Sequence, residues 1–392
     1  MKTLRYFKKQ FALKHFISYF VLIGVIVVMA VLSAAGVLSR STYSTLTKIG
    51  YGMILAVSLN LVVGFLGELS LGHAGFMCVG AYIGCFVFNL LEPVTGSGVL
   101  TLILAMLSGG VSAAVFGFII GVPALRLRGD YLAICTLAFG EIVRNVFKNL
   151  PFFGGAKGLK TGLFDRTTLL FITMVTVLII LAVIQNLIRS KHGRAITAIR
   201  DNEIAAKAMG VNVTYYKLLV FVLSAFAAGI AGVLYGKAVG IIRQDNFSYN
   251  YSIEILVMVV LGGIGSMNGS LIAATIITAV TVFLQNPPPA IRSALNLGDD
   301  TLAIVKTIAY AIILILIIMY NNAPMFAKLR EKLSVRKLLK RFKKKDPGSI
   351  SPDEAKWDRI TTKIEMDEVL RVDVKKREGE LTAPDKPERG AK

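Results

Sequence analysis

Apolar stretches free of Lys, Arg, Asp and Glu occupy residues 16–38, 49–67, 99–125, 167–188, 218–236, 255–291 and 307–327. Most reach the roughly 20 residues that a helix needs to cross about 30 Å of hydrocarbon. The pattern predicts an all-α, polytopic transmembrane bundle with helices near 16–38, 48–66, 73–91, 99–122, 130–148, 167–188, 217–238, 253–265, 268–286 and 302–320, about 8–10 of them spans. In the segment 130–148, Glu141, Arg144, Asn145 and Lys148 fall on one broad face of the C-terminal half. Such a helix lines a cavity, ends early or rests at the interface.

Two breaks interrupt the pattern. Gly262, Gly263, Gly265 and Gly269 divide the long stretch after Glu254, and each glycine weakens a helix by about 1 kcal/mol. A short or re-entrant helix is expected there. The second break, Gly67-Glu68-Leu69-Ser70-Leu71-Gly72-His73-Ala74-Gly75, separates the second and third helices. Non-helical backbone at membrane depth survives only where protein or a wet cavity surrounds it. Glycines four residues apart, Gly80 with Gly84, Gly117 with Gly121, and Gly232 with Gly236 and Gly240, predict close helix packing.

Composition supports the membrane class. Hydrophobic residues make up 55% of 392, and the mean hydropathy is +0.66. The net charge of +20 would suggest nucleic acid in a soluble chain, but the cations gather at the ends of apolar spans, where they report topology. Arg126 and Arg128, then Arg189, Lys191 and Arg194, then the run 328–345 all fall after even-numbered helices, which predicts cytoplasmic N- and C-termini. The basic N-terminus resembles a secretory signal, but the run 16–38 exceeds the 7–15 residues of a signal core and reads as an uncleaved first helix. Cys78, Cys85 and Cys135 lie in apolar segments and read as packing residues. The organisation expected is a basic cytoplasmic segment 1–15, a permease domain 16–320 containing a cytoplasmic loop 190–216, and a partly disordered basic tail 321–392, its run 328–345 resting on anionic lipid.

Polar residues that a membrane makes expensive are the candidates for a translocation path: Asn60, Glu68, Ser70, His73, Glu141, Asn145 and Glu254. Each has a structural rival: Asn60 bonding a neighbouring helix, Glu141 pairing with Arg144, Glu254 sitting among headgroups, His73 capping or packing. His15, His73 and His192 are too scattered for a metal site, no Ser/His/Asp grouping occurs, and no Gly-x-x-x-x-Gly-Lys-Ser/Thr phosphate loop is present. Catalysis, a metal and a cofactor are therefore not expected of this chain. Any ATP must be used elsewhere.

The loop between the sixth and seventh helices, from Ser190 through Arg194, Arg200, Asp201 and Glu203 to Gly210, reads in its middle as a helix. Ile196, Ile199, Ala206 and Met209 are available to one face, and Gly210 supplies the stop. Its Glu203, Ala205, Ala206 and Gly210 resemble the Glu-x-Ala-Ala-x-x-x-Gly coupling segment of ABC importer permeases, which docks into an ATPase. Further blocks, Leu69-Ser70-Leu71-Gly72-His73-Ala74, Arg128 through Ile142, Gly193 to Leu218 and Val259 to Gly265, resemble the branched-chain amino acid permease family, and most of all the second of that system's two permeases. A Thr-Gly-Gly-x-x-Gly-Leu block expected after the fifth helix reads Phe153-Gly154-Gly155-Ala156-Lys157-Gly158-Leu159, with Phe for Thr.

The resemblance implies a prokaryotic cytoplasmic-membrane subunit taking up branched-chain amino acids. Its partners would be a homologous permease, two ATP-binding subunits that use ATP and Mg, and an extracytoplasmic binding protein. Arg194, Arg200, Asp201, Glu203, Ala205, Ala206 and Gly210 would contact the ATPase. Two alternatives stay open: a permease for urea or other small amides or amino acids, and a secondary transporter or channel using Glu141 and Glu254 for ion coupling.

Overall fold

The computed structural model describes residues 39–285 except Arg128, and before them Gly24 and Ser33. The predicted spans 302–320 and, apart from those two residues, 16–38, together with the basic run and tail, lie outside the described residues. In chain order the elements are α1 (Arg40–Asn60), α2 (His73–Thr95), α3 (Gly98–Ala124), α4 (Asp130–Asn149), β1 (Leu159–Lys160), α5 (Arg166–Arg189), α6 (Lys191–Asp201), α7 (Glu203–Ala208), α8 (Val213–Val239), β2 (Ile241–Ile242), α9 (Tyr249–Gly262) and α10 (Met267–Gln285). Among the described residues the fold is all-α but for one short antiparallel ribbon, in which Leu159 faces Ile242 and Lys160 faces Ile241.

Local chemistry sets the ends. Ser39 caps α1 by accepting the Thr42 amide, and Asp165 caps α5 by accepting the Thr168 hydroxyl at 2.6 Å and amide at 2.9 Å. Those bonds hold the Asp165 carboxyl below the usual carboxylate range. The first helix continues from Asn60 into a π-helical turn, Leu61–Leu66, and stops at Gly67 with φ of 83°. The expected break is therefore real.

Among the described residues, five helices are long and apolar enough to cross a membrane: Arg40–Leu66, His73–Thr95, Gly98–Ala124, Arg166–Arg189 and Val213–Val239. Each matches a predicted span. The segment predicted at 130–148 forms the 20-residue α4, which is not one of the five. Its buried residues Leu132, Thr136, Phe139, Gly140, Val143 and Phe147 form one face, and α4 packs against α2. The stretch after Glu254 folds into two helices, as the glycines suggested. With 14 residues, α9 is about 21 Å long and falls short of the hydrocarbon thickness.

The core is a three-helix crossing of α2, α3 and α8. Gly80, Gly109 and Gly229 bring the backbones into direct contact: a Cβ on Gly109 would stand 2.8 Å from the Gly80 carbonyl oxygen, and one on Gly80 would collide with the Gly229 backbone. Lipid supplies no hydrophobic push between helices, so this approach, with its dispersion contacts, is what α2, α3 and α8 gain by packing. Around it α1 packs on α5, α8 and α10. Lys217 and Lys237, both buried, sit near opposite ends of α8, 20 residues and so about 30 Å apart. The Lys237 ammonium donates to the Thr161 carbonyl and lies 3.3 Å from the centre of the Phe88 ring.

Replacing Gly229 with Val is expected to abolish recovery of folded protein from detergent. Val111→Ala, on the exposed face of α3, should leave recovery unchanged in size-exclusion chromatography.

Candidate functional site

The loop after α5 forms two helices rather than one. Ser190 caps α6 through the His192 and Gly193 amides, and Asn202, with φ of −158° and ψ of 105°, ends α6 and caps α7 through the Ala205 amide. Gly210 stops the segment with φ of 82°. Ile196, Ile199 and Ala206 are buried as expected, but Met209 is 84% exposed. The extended residue Asn202 resets the helical rotation, so no continuous face runs from Ile196 to Met209. Ile204, 76% exposed, joins Met209 on the outside, beside the exposed Ala205, Lys207 and Ala208. Arg194 and Asp201 are also exposed.

The inner side of this segment grips the break after α1. The Arg200 guanidinium donates to the Gly64 carbonyl at 3.2 Å and to Asp201 Oδ1 at 2.9 and 3.0 Å. The stem of Arg200 lies over Gly67, where a Cβ would stand 2.7 Å from its Cγ. Beside it, Lys217 of α8 donates to Glu68 Oε1 at 2.6 Å and Glu203 Oε2 at 3.1 Å. The Lys217 side chain is 4% exposed, Glu68 14% and Glu203 33%. A charge so far from water is tolerable only when paired, and removing one partner of a buried pair costs about 3–5 kcal/mol. Sequence reasoning did not single out Lys217 as a site. Its partners lie 149 and 14 residues away, and a lysine at the start of a span reads as a topology charge.

The rest of the first break is anchored by side chains from four helices. The Leu71 amide donates to Thr136 Oγ1 and the Ala74 amide to Ser252 Oγ. His73, at the start of α2, shares a 2.7 Å hydrogen bond between Nε2 and Ser58 Oγ, and Ser224 donates to the Ser58 carbonyl. Ser70 is buried, with no partner for its hydroxyl among the described residues. Asn60 ties this break to the one between α9 and α10. Its Nδ2 donates to Ser270 at 2.9 Å, and its Oδ1 accepts the Gly265 amide at 3.0 Å. There Gly263 and Gly265 have φ of 93° and 79°, and Gly262 and Gly269 touch backbone to backbone where α9 turns into α10.

The remaining candidates lie elsewhere. Glu141 pairs with Arg144 at 2.8 Å and accepts the Tyr249 amide, and Asn145 donates to the Glu141 carbonyl. Glu254 accepts from Thr281 in a recess of about 360 Å³ lined by Asn246, Ser248, Asn250 and Tyr251. The structure thus brings Glu68, Arg200, Asp201 and Glu203 together, joins Asn60 to Gly265, and leaves Glu141, Asn145 and Glu254 apart. Phe153, the departure from the expected Thr, packs its ring against Tyr82, Phe86, Phe147 and Phe152. No group of three His, Cys, Asp or Glu placed to hold a metal occurs among the described residues.

Asn60→Leu leaves the Gly265 amide without its acceptor. It is expected to cost about 1–3 kcal/mol, read as a lowered thermal midpoint in detergent.

Over residues 41–320 the chain matches the family described as branched-chain amino acid transport system / permease component. It is 38% identical over 272 residues to the high-affinity branched-chain amino acid transport system permease protein LivM of Salmonella typhimurium, covering 61% of this chain and 62% of that protein. The probable branched-chain amino acid transport permease protein LivM of Methanocaldococcus jannaschii is 26% identical, covering 71% and 85%. The corresponding LivH permease protein of Salmonella typhimurium is 23% identical, covering 62% and 81%. The chain therefore spans about three fifths of the length of the first of these relatives. With five apolar helices of spanning length and this match over more than half its residues, the chain is a multi-pass membrane protein that belongs to the family of branched-chain amino acid transport permease components.

Proposed function

We propose that the chain is one transmembrane subunit of an ATP-driven importer of branched-chain amino acids, and that the segment α6–α7 docks on its ATPase. The observation that carries this reading is the exposed apolar tip of Ile204 and Met209, raised on a segment whose inner side is fixed by Arg200 and Glu203. An exposed apolar patch rimmed by the charges of Arg194, Asp201 and Lys207 fits a partner protein better than water. The basic loops of the sequence support a cytoplasmic position for that partner and for both termini. Substrate delivered by an external binding protein would enter from the opposite face, where β1 and β2 lie.

The match to both LivM and LivH relatives supports a pair of related permeases sharing one pathway. The largely apolar spans suit a ligand with an aliphatic side chain. In this assembly ATP and Mg belong to two separate subunits, and the present chain carries no reaction of its own. The membrane is the cytoplasmic membrane of a prokaryote, and the permease domain covers 16–320 with the coupling loop at 190–216.

Ile204→Asp and Met209→Asp are each expected to reduce copurification of the ATPase from solubilised membranes by about tenfold or more, the loss of a docking anchor. The amount of membrane-inserted chain should not change. Full retention of the ATPase by both variants would sink the docking assignment.

A further inference from the structure

Resting on that reading, we propose that Lys217 is the residue that transmits movement of the docked segment to the helix break, acting as a clamp with one releasable arm. Three observations place it there. First, its single ammonium holds two carboxylates from different parts of the chain: Glu68 in the break and Glu203 at the first residue of α7. Second, the two contacts are unequal. Glu68 is bound at 2.6 Å and is mostly buried, whereas Glu203 is bound at 3.1 Å and is one third exposed. Parting Glu203 from Lys217 costs less desolvation, because Glu203 is already one third exposed, while releasing Glu68 strands a mostly buried charge. Glu203 is the arm that opens.

Third, the hinge between α6 and α7 at Asn202 separates two grips on the same break. On one side Arg200 holds the Gly64 carbonyl and covers Gly67, and on the other Glu203 reaches Glu68 through Lys217. Arg200 also lies within ordinary contact, 3.7 Å, of where a Cβ on Gly265 would stand, so the segment meets both breaks. Lys217 itself belongs to α8, part of the glycine-packed crossing. A load on Ile204 and Met209 that lifts α7 would free Glu203 from Lys217 while Arg200 still pulls on the break. That is a contact with two discrete arrangements, which a switching element requires.

The test uses the complete transporter in liposomes, measuring uptake and ATP hydrolysis together. Lys217→Met and Glu203→Gln should still copurify with the ATPase, but uptake per ATP hydrolysed should fall between about 5- and 150-fold, the usual range for coupling between sites. Lys217→Arg should recover most of it. Glu68→Gln, the permanent arm, should instead lower the thermal midpoint. Normal uptake per ATP in Lys217→Met would overturn the proposal, as would loss of assembly in both Lys217 variants.

If Lys217→Met does not fold, Glu203→Gln, which keeps the Lys217–Glu68 pair, carries the test by itself. Its uptake per ATP should fall while its thermal midpoint stays near that of the natural chain. Normal uptake per ATP in Glu203→Gln overturns the clamp. A natural complex that copurifies with no ATPase removes the underlying permease reading as well, whereas an intact complex with normal Lys217→Met coupling removes the clamp alone.

Discussion

Backbone amides inside a membrane have nowhere to go but the protein, and the arrangement of this chain follows from that constraint. Two of its apolar segments stop being helical, after Leu66 and after Gly262. Each break is secured by side chains from elsewhere: Thr136, Ser252 and Asn60 take amides, while Arg200 takes the Gly64 carbonyl. Because Asn60 serves Gly265 and Arg200 serves Gly64, the two breaks lie together and share supports. Both side-chain bonds of Asn60 reach the second break and the helix that follows it. The breaks thus bind α1, α2, α4, α9 and the α6–α7 segment into one connected set.

The charges obey the same economy of partners. Lys217 reaches Glu68 and Glu203, Lys237 finds the Thr161 carbonyl and the Phe88 ring, and Glu141 finds Arg144 and the Tyr249 amide. The first of these groups sits at the end of α8 that meets the α6–α7 segment, and the second at the end that meets the β ribbon. The first joins the α6–α7 segment to the break after α1. The second lies against the ribbon strand that begins at Leu159, the end of the glycine block in which Phe153 replaces Thr.

Much of the fold was legible in the sequence. Hydropathy located all five described spans because a lipid-facing or core-facing helix must be apolar along nearly its whole length, a signal carried by every residue. Clustered glycines marked both breaks and, of the three at the helix crossing, Gly80 but not Gly109 or Gly229. What stayed hidden depended on pairing across long separations. Asn60 with Gly265 and Lys217 with Glu68 are 205 and 149 residues apart, and periodicity is blind to such distances. Met209 was misplaced on the packing face for a local reason: periodicity assumes an unbroken helix, and the turn at Asn202 is encoded by a single asparagine that also suits a helix end. The grouping of Glu68 with the pathway residues shows the same limit, since composition marks a carboxylate as costly without saying which cation it meets.

The crossing of α2, α3 and α8 at Gly80, Gly109 and Gly229 bears on how such a molecule moves. Side chains between helices can change rotamer and let one helix slide past another, but peptide planes in contact have no such freedom. Those three helices are therefore held at a spacing that no rotamer change can relieve, and α4 is drawn into the same set, since a Cβ on Gly75 of α2 would stand 2.7 Å from the Gly140 Cα of α4. The spacing of these four helices is in this way set by nothing more than the absence of a β-carbon.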